Sequence, residues 1–280
     1  MRRISSLAEL DLWKGLLHGD TLGFVPTMGA LHEGHLSLVN MSLERGDKTL
    51  VSIYVNPTQF NNPEDLVKYP NTLEKDLEML EAMGCDAVFL PTAEMLYPEG
   101  LKSRAFSFGF LGFHMEGARR PGHFEGMATV VTKFFELIQP DFAIFGEKDY
   151  QQLCIIRRVV VEENWPVKIV PCPIVREEDG LAMSSRNLRL SEVERAEAAS
   201  IYAVLSEACK EAESFDSVAE LKSYCVEALN AIPSLSVEYI ECCDEKELQP
   251  VRELDPESPT RLFAAVQCGN VRLIDNLPLF

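Results

Sequence analysis

Two histidines, His32 and His35, lie three residues apart in the segment PTMGALHEGH, a spacing that places both imidazoles on one face if the turn is helical. The segment follows a predicted strand at 22–25 and leads into a predicted helix at 35–44. A helix N-terminus suits a phosphate, and imidazoles can donate hydrogen bonds to its oxygens. Gly34 lacks a side chain, so a ligand can approach the backbone there. The alternatives are a chance pair or half of a metal site, although no third Cys or His ligand clusters nearby.

Two further polar segments follow predicted strands. The sequence GEKDYQQ contains Lys148, which can balance a phosphate charge, Asp149, which can accept a hydrogen bond from a ribose hydroxyl, and Gln152. The sequence YVNPTQF contains Gln59, whose amide can bind a hydroxy acid. Taken singly, a charged helix start or a loop glutamine carries little information. Because parallel strands present their carboxyl ends at one edge of a sheet, ligands bind where such segments meet.

Two loop segments carry cations. The AMSSRN segment supplies two hydroxyls and a guanidinium for a phosphate clamp: Ser184, Ser185 and Arg186. Serine and asparagine also favour helix N-caps, so both interpretations stay open. The RRPGHFEG segment contains Arg120 and His123, which loop closure can bring over a ligand. It lies in an irregular stretch at 91–126 that we expect to be mobile.

The composition excludes several classes of protein. The 280 residues include 44 acidic and 26 basic ones, a net charge of −18, which disfavours extended binding to DNA or RNA. The chain has no G-x-x-x-x-G-K-[ST], G-x-G-x-x-G or G-x-S-x-G motif. No apolar run reaches the ~20 residues that span a bilayer, and charges interrupt any signal peptide. The eight cysteines form no C-x-x-C motif, so we expect reduced thiols and a cytoplasmic protein.

Apolar strands alternate with amphipathic helices up to residue 176. Strands are predicted at 22–25, 49–55, 87–90, 142–145 and 167–170, and helices at 5–18, 35–44, 72–83, 127–138 and 150–162. This alternation predicts an α/β fold, a parallel sheet with helices on both faces. Beyond residue 176, helices are predicted at 192–211 and 217–231, and strands at 237–241, 261–267 and 271–274. The acidic excess also grows there, so we expect two domains, at 1–176 and, smaller and α+β, at 177–280.

Five segments occur in an order that resembles the pantothenate synthetase (pantoate–β-alanine ligase) family: PTMGALHEGH, NPTQF, RPGHFEG, GEKDYQQL and MSSRN. The H-x-G-H element alone indicates only the wider nucleotidyltransferase group. The resemblance implies a Rossmann-like doubly wound sheet, a C-terminal domain that closes over the active site, and a homodimer. It implies ATP, Mg²⁺, (R)-pantoate and β-alanine as ligands. Pantoate would attack the α-phosphate to give pantoyl adenylate and pyrophosphate, and β-alanine would then release pantothenate and AMP.

The resemblance also assigns roles to residues. The expected catalytic residues are His32, His35 as proton donor, Lys148 and Arg186. The expected ATP contacts are Met28, Gly29, His32, Gly34, His35, Gly146, Lys148, Asp149, Val175, Met183, Ser184, Ser185 and Arg186. Gln59 and Gln152 are the expected pantoate ligands, with Gln59 also facing β-alanine. Asp76 either holds Mg²⁺ through water or is a solvated helix residue.

Three alternative functions stay open. A different H-x-G-H adenylyltransferase would use ATP but leave β-alanine inert, and the paired Gln59 and Gln152 disfavour it. A protein like an aminoacyl-tRNA synthetase is disfavoured by the acidic charge, and a non-catalytic nucleotide sensor by the intact histidines. Two positions depart from the family pattern: Asn71, where the family often has Arg, and Arg189, where Tyr is common. These departures concern affinity rather than reaction type.

Overall fold

A six-stranded, wholly parallel sheet organises the first part of the chain. The computed structural model describes all residues, 1–280. The strands are β1 (Arg2–Ile4), β2 (Leu22–Thr27), β3 (Lys48–Ile53), β4 (Ala87–Phe89), β5 (Phe142–Gly146) and β6 (Lys168–Cys172). They lie in the order β1-β4-β3-β2-β5-β6. The predicted parallel α/β fold is confirmed.

Helices cover both faces of this sheet. The helices in this part of the chain are α1 (Leu7–Lys14), α2 (Glu33–Arg45), α3 (Pro63–Val67), α4 (Leu73–Ala82), α5 (Ala93–Leu96), α6 (Met115–Arg119), α7 (His123–Ile138) and α8 (Tyr150–Glu162). One core forms between the sheet and α1, α7 and α8, and another between the sheet and α2 and α4. None of the helices has the length and apolar character needed to cross a membrane.

The direction in which strands are added reverses at β2, and this reversal opens a cleft. β2 pairs with β3 at six residues, from Leu22 to Thr27. It pairs with β5 only at Gly23 and Phe24. The two central strands therefore diverge toward their carboxyl ends, which is where open α/β sheets bind ligands.

The second part of the chain is α+β, as predicted. Its helices are α9 (Glu192–Ala198), α10 (Ser200–Lys210) and α11 (Val218–Asn230), and its antiparallel sheet contains β7 (Leu235–Asp244), β8 (Thr260–Cys268) and β9 (Val271–Pro278). These elements enclose a separate core of 20 buried residues. Cys243, Leu248 and Phe263 instead join the core of the first part, so the two parts pack on each other. The domain boundary at residue 176 stays a prediction.

Some local predictions were wrong. The stretch at 91–126 is not wholly irregular, because it contains α5, α6 and a 3-10 turn at Gly109–Gly112. Helix α7 begins at His123 rather than at residue 127, directly after Gly122 in the left-handed region at φ 81°. The helix expected at 192–211 is two helices, α9 and α10, that meet at Ala199. The short elements β1 and α3 were not predicted, since three to five residues carry little periodicity.

Candidate active site

The loop after β2 is held by a buried carboxylate. Gly29 and Ala30 adopt left-handed conformations, at φ 79° and 51°. The Asp76 carboxylate on α4 accepts hydrogen bonds from the N–H groups of Ala30 and Leu31, both at 2.9 Å, and from Thr72 Oγ1 at 3.0 Å. Asp76 is only 1% exposed, so its interpretation as a solvated helix residue was wrong. Its oxygens shape the loop, because they satisfy backbone donors that would otherwise be buried unpaired.

His32 forms the N-cap of α2, and its ring packs against that of His35. The His32 Nδ1 atom accepts the Gly34 N–H at 3.2 Å. The two ring centroids are 4.1 Å apart. A Cβ at Gly34 would lie 2.9 Å from His32 Cε1, so this glycine makes room for the imidazole itself. That role adds to the ligand access that the sequence suggested.

Both imidazoles are neutral at neutral pH. Burial, followed by the charge of Lys148, lowers the pKa of His32 to about 4. Burial, His32 and Lys148 lower the pKa of His35 to about 3. The His35 Nδ1 atom is buried without a hydrogen-bond partner. Each ring can therefore offer one N–H to a ligand and would gain a proton more readily beside a polyanion.

The segment after β5 faces the histidines across the cleft. Lys148 and Asp149 lie in a 3-10 turn that leads into α8, with Lys148 Nζ 3.8 Å from Asp149 Oδ2. Asn276 on β9 donates both amide hydrogens to this turn, to the carbonyls of Glu147 and Lys148 at 3.0 Å each. Asn276 is 2% exposed. The C-terminal sheet thus fixes the backbone that carries Lys148. No sequence motif indicated this contact from Asn276.

The loop after residue 182 closes another side of the cleft. The Met183 N–H donates to the Val175 carbonyl at 3.0 Å, which brings the expected adenine contact beside the MSSR segment. The Ser184 hydroxyl accepts the Arg186 N–H at 3.3 Å, so this serine is both a cap and a cleft residue, as both interpretations allowed. Arg186 Nη2 donates to Asp65 Oδ2 at 2.8 Å.

Gln59 is positioned by a buried polar network. Its Oε1 accepts a hydrogen bond from Asn56 Nδ2 at 3.0 Å, and its Nε2 lies 3.2 Å from the Met28 sulfur. The backbone carbonyl oxygen of Gln59 lies 2.8 Å from His123 Nδ1. Burial, then the Arg120 guanidinium, lowers the pKa of His123 to about 4, so this ring is neutral and donates to that carbonyl. Arg120 and His123 therefore support and line the cleft from helix-terminal positions.

The structure brings nearly all of the predicted site residues to one cleft. Its lining includes Met28, His32, Gly34, His35, Gln59, Gly146, Lys148, Asp149, Gln152, Val175, Met183, Ser184, Ser185 and Arg186. Gly29, which belongs to the loop after β2, and Asp76, which binds that loop, are not among the lining residues. Sequence reasoning missed an apolar wall of the cleft, formed by Met127, Val130, Val131 and Phe134 on α7. It also missed three polar or aromatic lining residues, Tyr54, Asn56 and Tyr69. The apolar face of α7 could have indicated the wall, but nothing local to these residues showed that a cleft lay there.

The two adjacent glutamines of GEKDYQQ have different environments. Gln152 lines the cleft. Gln151 is buried and turned away, donating to the carbonyls of Leu111 and His114 at 2.7 and 2.9 Å and accepting the Glu116 N–H at 3.0 Å. Gln151 therefore holds the segment before α7 in place, while Gln152 is free for a ligand.

Comparison with known proteins agrees with this geometry. The sequence profile of the family described as pantoate-beta-alanine ligase matches residues 2–278. Pantothenate synthetase from Bacteroides fragilis is 48% identical over 270 residues, covering 96% of this chain and 94% of that protein. The pantothenate synthetase structure from Thermus thermophilus is 43% identical with a TM-score of 0.92, and each chain is covered completely.

A further solved structure is that of pantoate-beta-alanine ligase from Francisella tularensis, complexed with beta-gamma ATP and beta-alanine. It is 35% identical, has a TM-score of 0.84, and covers 100% of this chain and 98% of that one. The family assignment made from five short motifs is confirmed along the whole chain. The chain belongs to the pantoate-β-alanine ligase family and is an enzyme of that family.

Proposed function

We propose that this cleft joins (R)-pantoate to β-alanine at the expense of ATP, giving pantothenate, AMP and pyrophosphate. The observation that carries the proposal is the convergence of paired imidazoles, three cationic side chains and two glutamine amides in one cleft. A pantoate carboxylate oxygen attacks the α-phosphorus, and the bond to pyrophosphate breaks. The unprotonated β-alanine amine then attacks the acyl carbon of the adenylate, AMP leaves, and the nitrogen gives up a proton to solvent.

The phosphate end of the cleft is built for charge stabilisation. His32 and His35 offer N–H donors at the start of α2, while Lys148 and Arg186 provide positive charge from other sides. Donors held in place by the fold stabilise charge that develops on the transferring phosphorus, without reorganisation during the reaction. The low pKa of His35 makes it a neutral imidazole at neutral pH. Its proposed role as proton donor requires that the negative charge of the ATP phosphates raises this pKa, so that the ring carries a second proton.

The other end of the cleft suits a branched hydroxy acid. Gln59 and Gln152 supply donors and acceptors for hydroxyl and carboxylate groups. The apolar wall of α7 lies beside them and suits the two methyl groups of pantoate. We propose this subsite for pantoate, with β-alanine entering next to Gln59.

The donor set fits Mg²⁺ that is bound mainly through phosphate. No group of three or more His, Cys, Asp or Glu side chains could form a metal cage. Mg²⁺ usually keeps several waters and takes one or two carboxylates plus phosphates, and the exposed Asp149 carboxylate in the cleft is available for this. When bound, the ion would neutralise charge on the phosphates. The Asp76 oxygens already accept two N–H groups, so a water-mediated contact from Asp76 is the weaker proposal.

The setting of the enzyme is also proposed. Eight unpaired cysteines fit a reducing cytoplasm, and the net charge of −18 fits the absence of a nucleic-acid or membrane partner. A homodimer of the 31.4 kDa chain is proposed because the family resemblance implies one, and the adjacent exposed rings of Phe110 and Phe113 are an available apolar contact. Residues 177–280 are proposed to close over the cleft. Sedimentation at the mass of one chain would contradict the dimer.

The reaction is tested with purified protein, ATP, Mg²⁺ and pantoate, with and without β-alanine, by following pyrophosphate and AMP. We expect AMP release that needs both acids and is lost in His35→Asn. His18→Asn is the matched control, because His18 is exposed and lies away from the cleft. Pyrophosphate release that ignores β-alanine would indicate another acceptor. No ATP turnover by folded protein would overturn the proposal in favour of a nucleotide sensor.

A further inference from the structure

One carboxylate, in a polar pocket that adjoins the cleft at Arg186, is shared by two arginines. Asp65 on α3 accepts from Arg186 Nη2 through Oδ2 at 2.8 Å and from Arg189 Nη1 through Oδ1 at 2.8 Å. The three side chains are 25–27% exposed, so water only partly screens these pairs. The contacts join a helix of the first part of the chain to the 3-10 turn at Ser185–Arg189, 121 and 124 residues away in sequence.

The contact creates a competition for Arg186. This guanidinium is proposed to bind ATP phosphates, yet in the structure Asp65 occupies it. Leaving a half-buried carboxylate without a partner is unfavourable. Burial raises the pKa of Asp65, but the hydrogen bonds and charges of Arg186 and Arg189 more than offset this and hold it below its usual value. Asp65 is therefore ionised at neutral pH and needs a cation whenever Arg186 leaves.

We propose that Arg189 is a positioning residue that retains Asp65 when Arg186 turns to the ATP phosphates. The retained pair keeps the Asp65 carboxylate partnered, so Arg186 is released without leaving that charge unpaired. Arg189 acts through Asp65 and does not touch ATP. This inference rests on the proposed phosphate role of Arg186.

The test measures the KM for ATP and kcat at saturating pantoate and β-alanine. Arg189→Gln makes Asp65 depend on Arg186 alone, so the KM for ATP rises about tenfold, the scale of one hydrogen bond to a charged group, with kcat within about twofold. Asp65→Asn removes the competitor, so the KM for ATP stays at or below the wild-type value. In the Asp65→Asn background, Arg189→Gln has no further effect.

Two substitutions control for charge alone. Glu64→Gln changes a neighbouring α3 carboxylate that pairs only with Lys68, at 3.1 Å. Arg252→Gln removes an exposed arginine far from the cleft. Both are expected to leave the KM for ATP unchanged. Glu64→Gln matches the charge change of Asp65→Asn, and Arg252→Gln matches that of Arg189→Gln. If Arg252→Gln raises the KM for ATP as much as Arg189→Gln does, net charge explains the effect and the proposal fails.

Other outcomes separate this proposal from its premise. If Arg189→Gln raises the KM for ATP equally in the wild-type and Asp65→Asn backgrounds, Arg189 acts on ATP directly. If it changes the KM in neither background, the Asp65–Arg189 pair does not affect ATP binding. Either result overturns the proposal. Arg186→Gln tests the premise, since wild-type kinetics would remove Arg186 from the phosphate site and overturn both ideas. Lost activity in Arg186→Gln beside normal kinetics in Arg189→Gln would overturn only the role of Arg189.

Discussion

Replacing Gly126 by Ala tests how the fold positions Gln59. Gly126 is on the face of α7 that packs against the 3-10 turn at Pro57–Gln59. A Cβ there would lie 2.2 Å from the Thr58 carbonyl oxygen and 2.8 Å from the Gln59 nitrogen. These are backbone atoms and cannot rotate away. Since carbon and oxygen approach to about 3.3 Å, the turn must move by about 1 Å.

The expected effects follow from that displacement. Overpacking of this kind costs about 1–3 kcal/mol of the free energy of unfolding. The hydrogen bond from Asn56 Nδ2 to the Gly126 carbonyl, 3.1 Å long, is distorted as well. A 1 Å misplacement of a substrate-binding group can reduce the rate by about 100-fold. We therefore expect kcat/KM for pantoate to fall by about 100-fold in Gly126→Ala, with a much smaller change in the KM for ATP.

The assay combines urea unfolding with steady-state kinetics for each substrate. Gly15→Ala is the matched control, because Gly15 has φ −62° and the nearest atoms to its added Cβ are 3.5 Å away. That substitution is expected to leave kinetics unchanged and to stabilise the chain by about 0.4–1 kcal/mol. An unaltered kcat/KM for pantoate in folded Gly126→Ala would refute the reasoning, as would an equal loss for ATP and pantoate.

Three further outcomes are expected. Asp76→Asn replaces one of two acceptor oxygens by an amide donor that faces backbone N–H groups, so the free energy of unfolding falls by about 1–3 kcal/mol. If the activity of this variant also depends differently on the Mg²⁺ concentration, Asp76 holds the ion through water as well. His32, His35 and His123 have folded pKa values of about 4, 3 and 4, below the ordinary 6.5. The unfolded chain therefore binds more protons, and stability falls as pH drops from about 6.5 toward 4, by up to about 1.4 kcal/mol per pH unit for each histidine. If urea unfolding at a series of pH values shows no change in the free energy of unfolding between pH 6.5 and about 4, these rings are not buried in the neutral form. Asn276→Ala frees the Glu147 and Lys148 carbonyls, so the KM for ATP rises while the KM for pantoate does not; equal changes in both constants would point to general destabilisation.

The parallel sheet and most of the cleft could be predicted because their signals are local. Buried parallel strands are continuous apolar runs, and the helices between them repeat every three or four residues. The H-x-G-H segment combines a strand end, an N-cap and two imidazoles within a few residues, so its position at the cleft followed from order along the chain. The short elements β1 and α3 escaped prediction because they are too brief to show a period.

The fold class, the family and the residue types available for phosphate chemistry could be inferred from the order of residues alone. How those residues are supported became visible only in the folded chain. The carboxylate of Asp76 shapes the β2 loop from 45 and 46 residues away, and Asn276 fixes the Lys148 turn from 128 residues away. Asp65 pairs with Arg186 across 121 residues. A buried polar group needs a hydrogen-bond partner, and which partner is within reach depends on the segments that pack together once the chain is folded. No local sequence pattern therefore encodes these pairings.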